Sequence, residues 1–228
     1  MTSEPPILDS LSIDNVIIGL QQGELKILLI KHTEGASRGQ WSLPGGFIRE
    51  NEDLREAAAR HLHDLTGLND LYLEQFKTFG KVSRYPHKRV VTIAYYALVS
   101  ADNYPLVANK NAEDIRWFGV REVPPLVFDH HNILTTGINH LRQQVSRKPV
   151  GFNLLPEKFT LLQLQELYEA ILDTRLDKPN FRRKIMRMDI LKACNEKQSG
   201  VAHRAANLYR FDPSAYQRLT EQGMAFEV

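Results

Sequence analysis

Cysteine is nearly absent: Cys194 is the only one in 228 residues. A lone thiol excludes an internal disulfide framework and fits a reducing compartment. Long apolar runs are missing too. Stretches such as ILLI at 27–30 are far too short to cross a bilayer. The opening MTSEPPILDS has no basic stretch followed by an apolar one, so no secretory signal is expected and the chain is expected in the cytoplasm, away from membranes. Bulk charge is small as well. The net charge is +2, and residues 149–228 carry 12 of the 29 basic and 10 of the 27 acidic residues, so composition alone does not argue for a nucleic-acid partner. What is present is 43% hydrophobic and 25% charged residues, which suits a packed core in one large or two modest domains.

Two β-branched runs, NVIIGL at 15–20 and LKILLIK at 25–31, flank QQGE and predict a hairpin. WSLPGGF at 41–47 then breaks regularity. Residues 53–65 read as a helix, because Leu54, Ala57, Ala58, Leu62 and Leu65 recur at three- and four-residue steps and Gly67 supplies a C-terminal cap. Strands are predicted over 71–79, 89–99 and 115–118, followed by an amphipathic helix over 131–145. This order predicts a mixed α/β unit layered as an α/β/α sandwich. Pro149, Gly151 and Pro156 punctuate SRKPVGFNLLPEKF and place a domain boundary between 148 and 149, with apolar Val150, Phe152, Leu154 and Leu155 predicting a docked linker.

Within residues 1–148, GGFIRENEDLREAAARHLHDLTGL resembles the Nudix box, G-x5-E-x7-R-E-U-x-E-E-x-G-U with U aliphatic. Gly46, Glu52, Arg60, Leu62, Gly67 and Leu68 fall on that pattern, and the resemblance extends over about residues 10–145. Cleaving a pyrophosphate requires divalent cations, held by carboxylates on one helix face, to screen dense negative charge and activate water. Here the Arg-Glu position carries His61 and the Glu-Glu position carries Asp64-Leu65. A neutral imidazole suits a hard cation poorly and a leucine offers no ligand. The resemblance therefore implies a degenerate box across Glu52, Arg60, His61, Asp64 and Leu65, with no catalytic residue assigned. Glu52 and Asp64 remain as weak metal ligands. No cofactor is expected to be required, and Mg2+ would matter only if hydrolysis persists.

Arg60 reads as a buried ion-pair partner of Glu52 or a neighbour, pinning the helix to the loop, rather than a catalytic group, and His61 and His63 read as helix-surface residues. The fold's pocket can outlive its chemistry. The Gly45-Gly46 turn is read as backbone N–H groups at a helix N-terminus, suited to a phosphate or other anion. Arg84, His87, Lys88 and Arg89 surround Tyr85 and Pro86 in a basic loop that is either solvated or in contact with a ligand.

The second domain carries a different pattern. Thr160-Leu-Leu-Gln163 has the form of a capping box and opens a helix with Leu161, Leu164, Leu167, Tyr168 and Ile171 on one face. After a turn, Asp177 caps a second helix with Pro179 in its first turn. Phe181, Ile185 and Met188 form its apolar stripe, and no acidic residue interrupts 178–188. Lys178, Asn180, Arg182, Arg183, Lys184 and Arg187 occupy the rest of that helix. Helix, turn and basic helix have the order of a helix-turn-helix, with Asn180, Arg182 and Arg183 near the end that reaches base edges and Lys184 and Arg187 toward phosphates. Two short strands after Leu191 predict a wing whose loop holds His203 and Arg204. A basic helix alone can equally be a solvated face.

A Nudix-like domain with a degenerate box, joined by a GFNLLP linker to a winged helix, resembles the Nudix-related transcriptional regulators, and GFNLLPEKFTLLQLQELYEAI with DKPNFRRKIMRMD is similar to their C-terminal module. The resemblance implies a homodimer on palindromic double-stranded operator DNA and a small effector in the Nudix domain, either an ADP-ribose-type nucleotide or a sugar derivative. Two other readings stay open: a working Nudix hydrolase acting on substrates such as ADP-ribose, and a protein-binding module whose basic helix meets an acidic partner.

Overall fold

Alternation along the first strand decides the layering of the N-terminal unit. In the computed structural model, which describes residues 5–67, 72–100, 112–200, 204–223 and Phe226, β1 runs over Ile7–Gln21 and hairpins into β2 (Glu24–His32). Successive side chains of a strand point to opposite faces. Ile13 and Ile17 face a core shared with Ala57, Ala58 and Leu62 of helix α1 (Leu54–Thr66). Asn15 on the same face donates to the Ala58 carbonyl at 3.1 Å. Val16 faces the other way, against helix α2 (His130–Val145). A Cβ on Gly137 of α2 would lie 3.1 Å from the Val16 side chain and 3.2 Å from the Phe76 ring, so the glycine lets helix and sheet approach closely. Both faces of the sheet are covered, which is the α/β/α arrangement expected from the sequence.

The sheet has seven strands. Its path is β3 (Trp41–Ser42), β2, β1, β6 (Val91–Ser100), β5 (Tyr72–Phe79), with β4 (Gly45–Arg49) paired to β1 and β7 (Ala112–Gly119) paired to β2. Helix α1 opens with a capping box, in which the Asp53 N–H donates to Glu56 at 2.8 Å, and closes on Gly67 in the left-handed region. Leu68 lies outside the described residues.

The chain folds as two compact units, residues 1–19 with 25–140, and residues 20–24 with 141–228. In the second unit, the segment Pro149–Leu154 buries Val150, Phe152 and Leu154, and Phe152 stacks on Phe211 with ring centroids 4.6 Å apart. Helix α3 (Leu161–Leu172) buries Leu164, Leu167, Tyr168 and Ile171, and helix α4 (Lys178–Arg187) buries Phe181 and Ile185. Tyr168 meets Phe181 across this interface at 5.6 Å. The turn between the helices is tied by Glu169, which accepts from the Leu176 N–H at 2.9 Å and from Gln165 at 2.9 Å. Strands β8 (Leu191–Lys197) and β9 (Asn207–Phe211) form the wing ribbon, and helix α5 (Pro213–Glu221), capped by Asp212, packs Ala215 and Leu219 inward. No helix of the described residues is long and apolar enough to cross a membrane.

Candidate sensor pocket and nucleic-acid interface

The box folds around an ion pair. Glu52 receives Arg60 in a two-pronged contact, Nη2 to Oε1 at 2.6 Å and Nε to Oε2 at 2.8 Å, and its Oε1 also accepts the Arg49 N–H at 2.7 Å. Hydrogen bonding from Arg60 holds the Glu52 carboxyl below its usual pKa. Both oxygens of the first candidate metal ligand are thereby engaged, while Asp64, the second, is exposed. Among the described residues no group of three His, Cys, Asp or Glu side chains could hold a metal. This donor set does not fit a resident divalent cation.

His61 and Leu65 stand four residues apart and so share one face of α1. The sequence placed His61 on the helix surface; the structure buries most of it instead. Its Nε2 lies 3.4 Å from the Phe47 carbonyl. Burial, reinforced by the Arg60 charge, pushes its pKa down to about 4, so the imidazole is neutral at pH 7. His63, by contrast, is exposed as expected. Leu65 is 3% exposed and packs with Ile30 and Ala112. Two positions where the resemblance puts metal-binding carboxylates thus hold an uncharged ring and a core aliphatic.

The glycine pair also departs from expectation. Gly45 and Gly46 are not at a helix N-terminus. They lie in β4, opposite Asp14 and Ile13, and α1 begins only at Leu54. Their size serves close packing: a Cβ on Gly45 would sit 2.1 Å from the Ile13 carbonyl oxygen, and one on Gly46 would sit 2.7 Å from His61 Cε1.

The basic loop divides by residue. Arg84 is neither solvated nor free. It is buried and bridges Asp129 (2.9 Å and 3.1 Å) and Asp14 (3.2 Å). His130 completes the cluster: its Nδ1 accepts the Leu43 N–H at 3.1 Å and its Nε2 lies 3.6 Å from Asp14. The accepting Nδ1 leaves the proton on Nε2, facing Asp14. Lys88 is exposed, lies 4.6 Å over the Phe47 ring and pairs with Asp9 at 3.2 Å. Arg89 is exposed. Of the five expected ligand contacts, Lys88 and Arg89 present charge at the surface, Arg84 acts as a strut, and the glycines serve close packing in β4.

Sequence reasoning missed Asp14, Asp129 and His130. A signal was available, since Asp14 interrupts an apolar strand and a buried carboxylate needs a partner. It also missed Phe128, which joins Tyr85 and His87 of the loop in an aromatic group. Tyr85 meets Phe128 at 4.8 Å and His87 at 5.4 Å, and Phe128 is 39% exposed with a left-handed φ of 51°. A bulky residue held there carries backbone strain of the kind often found at ligand sites.

In the second unit, Asp177 accepts the Asn180 N–H at 2.9 Å and starts α4. With Phe181 and Ile185 facing inward, Lys178, Asn180, Arg183 and Arg187 are exposed, whereas Arg182 and Lys184 are half-buried flanks. Asn180 Oδ1 accepts Arg183 Nη2 at 2.8 Å, which pre-orients the guanidinium. Met186, missed earlier, is 46% exposed on this helix. Arg204 is exposed beside the wing; His203 lies outside the described residues.

The fold and these two sites define a class: a Nudix domain with His61 and Leu65 at two carboxylate positions of its box, followed by a winged helix with a basic second helix. Residues 12–136 match the NUDIX domain model and residues 151–211 match the NrtR DNA-binding winged helix domain. The "ADPR responsive transcriptional repressor NtrR" of Acinetobacter baylyi is 33% identical over 88% of this chain and 81% of its own length. The crystal structure of Shewanella oneidensis NrtR superposes with a TM-score of 0.81 at 31% identity, covering 95% of this chain and 98% of that one. The same relative complexed with a 27mer DNA gives 0.79 at 30% identity, covering 91% and 95%, and its NUDIX domain complexed with ADP ribose gives 0.51 at 29% identity, covering 61% and 90%. An ADP-ribose pyrophosphatase of Methanocaldococcus jannaschii is 29% identical over 51% of this chain and 68% of its own length. The chain belongs to the NrtR family of Nudix-related transcriptional regulators.

Proposed function

We propose that this protein is an ADP-ribose-responsive repressor of the cytoplasm, binding operator DNA as a homodimer through α4 and its wing and sensing the nucleotide in the domain of residues 1–148. The observation that carries this reading is the pairing of a neutralised box, with a low-pKa His61 and a buried Leu65, with a helix that shows three cations and an asparagine to solvent. A site without a resident divalent cation lacks the charge that screens a pyrophosphate and activates water, yet it retains exposed Lys88, Arg89 and aromatic rings that suit a diphosphate joined to a base. Two copies present two α4 helices, and their spacing must match half-sites about one helical turn apart. Effector binding represses or relieves only if it favours one spacing over the other.

Incubating purified protein with ADP-ribose and Mg2+ and separating the products tests the sensor reading. ADP-ribose should be recovered intact while the protein's melting temperature rises. Rapid release of AMP would instead establish a hydrolase.

A further inference from the structure

The sequence places Arg182 among the base readers of α4, but the structure turns it elsewhere. A concave site of about 310 Å³ opens between the start of α3 and the wing, lined by Thr160, Leu162, Arg182, Lys197, Arg204 and Tyr209 among others. Three cations from three separate elements face it: Arg182 from the flank of α4, Lys197 from the end of β8, and Arg204 from the segment leading into β9. None of its lining residues is acidic. None of the three cations has an ion-pair partner among the described residues. The Nε of Arg182 is buried with no hydrogen-bond partner there, leaving a desolvated donor unsatisfied. Three like charges around one hollow repel each other unless an anion sits among them. The exposed face of α4, where a base-reading side chain must project, instead carries Asn180, Arg183, Met186 and Arg187.

We propose that Arg182, Lys197 and Arg204 form a clamp for one backbone phosphate of the bound duplex, and that sequence is read by the pre-oriented Asn180–Arg183 pair instead. This rests on the DNA-binding reading above and deepens it. A phosphate contact fixes register but carries no base information, whereas an arginine or asparagine in the groove discriminates bases. The clamp therefore contributes equally on any duplex and adds to the salt dependence.

The test uses the full chain, a duplex enriched from random sequence by that chain, and a scrambled duplex of equal length. Lys197→Ala and Arg204→Ala change exposed side chains, so folding should be preserved, and Arg182→Lys keeps the charge that Arg182→Ala removes. Each alanine variant should weaken both duplexes by the same factor and lower the slope of log affinity against log salt by about 1. Arg182→Lys should retain the slope. Asn180→Ala and Arg183→Ala should weaken the enriched duplex and leave the scrambled one nearly unchanged. Unchanged affinity and slope in Lys197→Ala and Arg204→Ala would overturn the clamp while leaving DNA binding intact. So would an Arg182→Ala variant that loses discrimination at constant slope. Failure of the unmodified chain to bind any duplex would overturn both readings.

Discussion

At the scale of single residues, the α1 face that carries the box is shaped by His61 and Leu65, with Gly46 of β4 packed against His61. Gly46 leaves room for the imidazole, and an alanine methyl there would lie 2.7 Å from His61 Cε1. Overpacking of this kind costs about 1–3 kcal/mol. Gly46→Ala should lower the unfolding free energy by that amount, measured by urea unfolding, and Gly46→Ala combined with His61→Ala should recover much of it. Additive losses in the double variant would show that the two do not touch. The depressed His61 pKa also has a pH signature. The folded state resists a proton that the unfolded chain accepts, so stability is complete above about pH 6.5 and falls as pH drops toward 4. The loss attributable to His61 is about 3 kcal/mol across that window. Burial lowers the His32 pKa as well and adds a loss of the same sign. His61→Gln should remove the His61 part, measured by urea unfolding at pH 7 and pH 4.5; identical pH slopes would refute it. Leu65 makes a third point. A glutamate there would place a carboxylate among Ile30 and Ala112, at a cost of about 3 kcal/mol or more. His61→Glu with Leu65→Glu is therefore expected to melt early and not to hydrolyse ADP-ribose. A stable variant with Mg2+-dependent turnover would show that the rest of the site can support hydrolysis.

At the scale of elements, periodicity and capping revealed most of the architecture. The three- and four-residue steps of α1, the Thr160–Gln163 box of α3 and the Asp177 cap of α4 all report local physics, and each appears within a few residues of its predicted place. Helix α5 was overlooked although Asp212-Pro213 marks its start. What stayed hidden depends on partners distant in sequence. Arg84 reaches Asp14, 70 residues away, so nothing in its basic loop announces a buried strut. Gly45 and Gly46 looked like a helix entry because their strand pairing to β1 is a tertiary event. His61 looked exposed because only the folded β4 brings the Phe47 carbonyl to it. On α4, the basic stripe was legible, but the half-burial of Arg182 and Lys184 was not, since it depends on the fold around the helix. If Asn180 and Arg183 read bases, each alanine replacement should cost about 1–3 kcal/mol in operator affinity. Unaltered affinity in both would remove the exposed face of α4 from the interface.

At the scale of the whole molecule, the question is whether nucleotide and DNA sense one another. Coupling between two sites is reciprocal: if ADP-ribose weakens operator binding by some factor, operator must weaken ADP-ribose binding by the same factor. Typical couplings of about 1–3 kcal/mol correspond to roughly 5–150-fold. The most direct measurement is the affinity of the full chain for its enriched duplex, by fluorescence anisotropy, as ADP-ribose is raised through its own dissociation constant. A saturable loss of at least about fivefold is expected. An operator affinity that stays constant while ADP-ribose saturates the protein would contradict it.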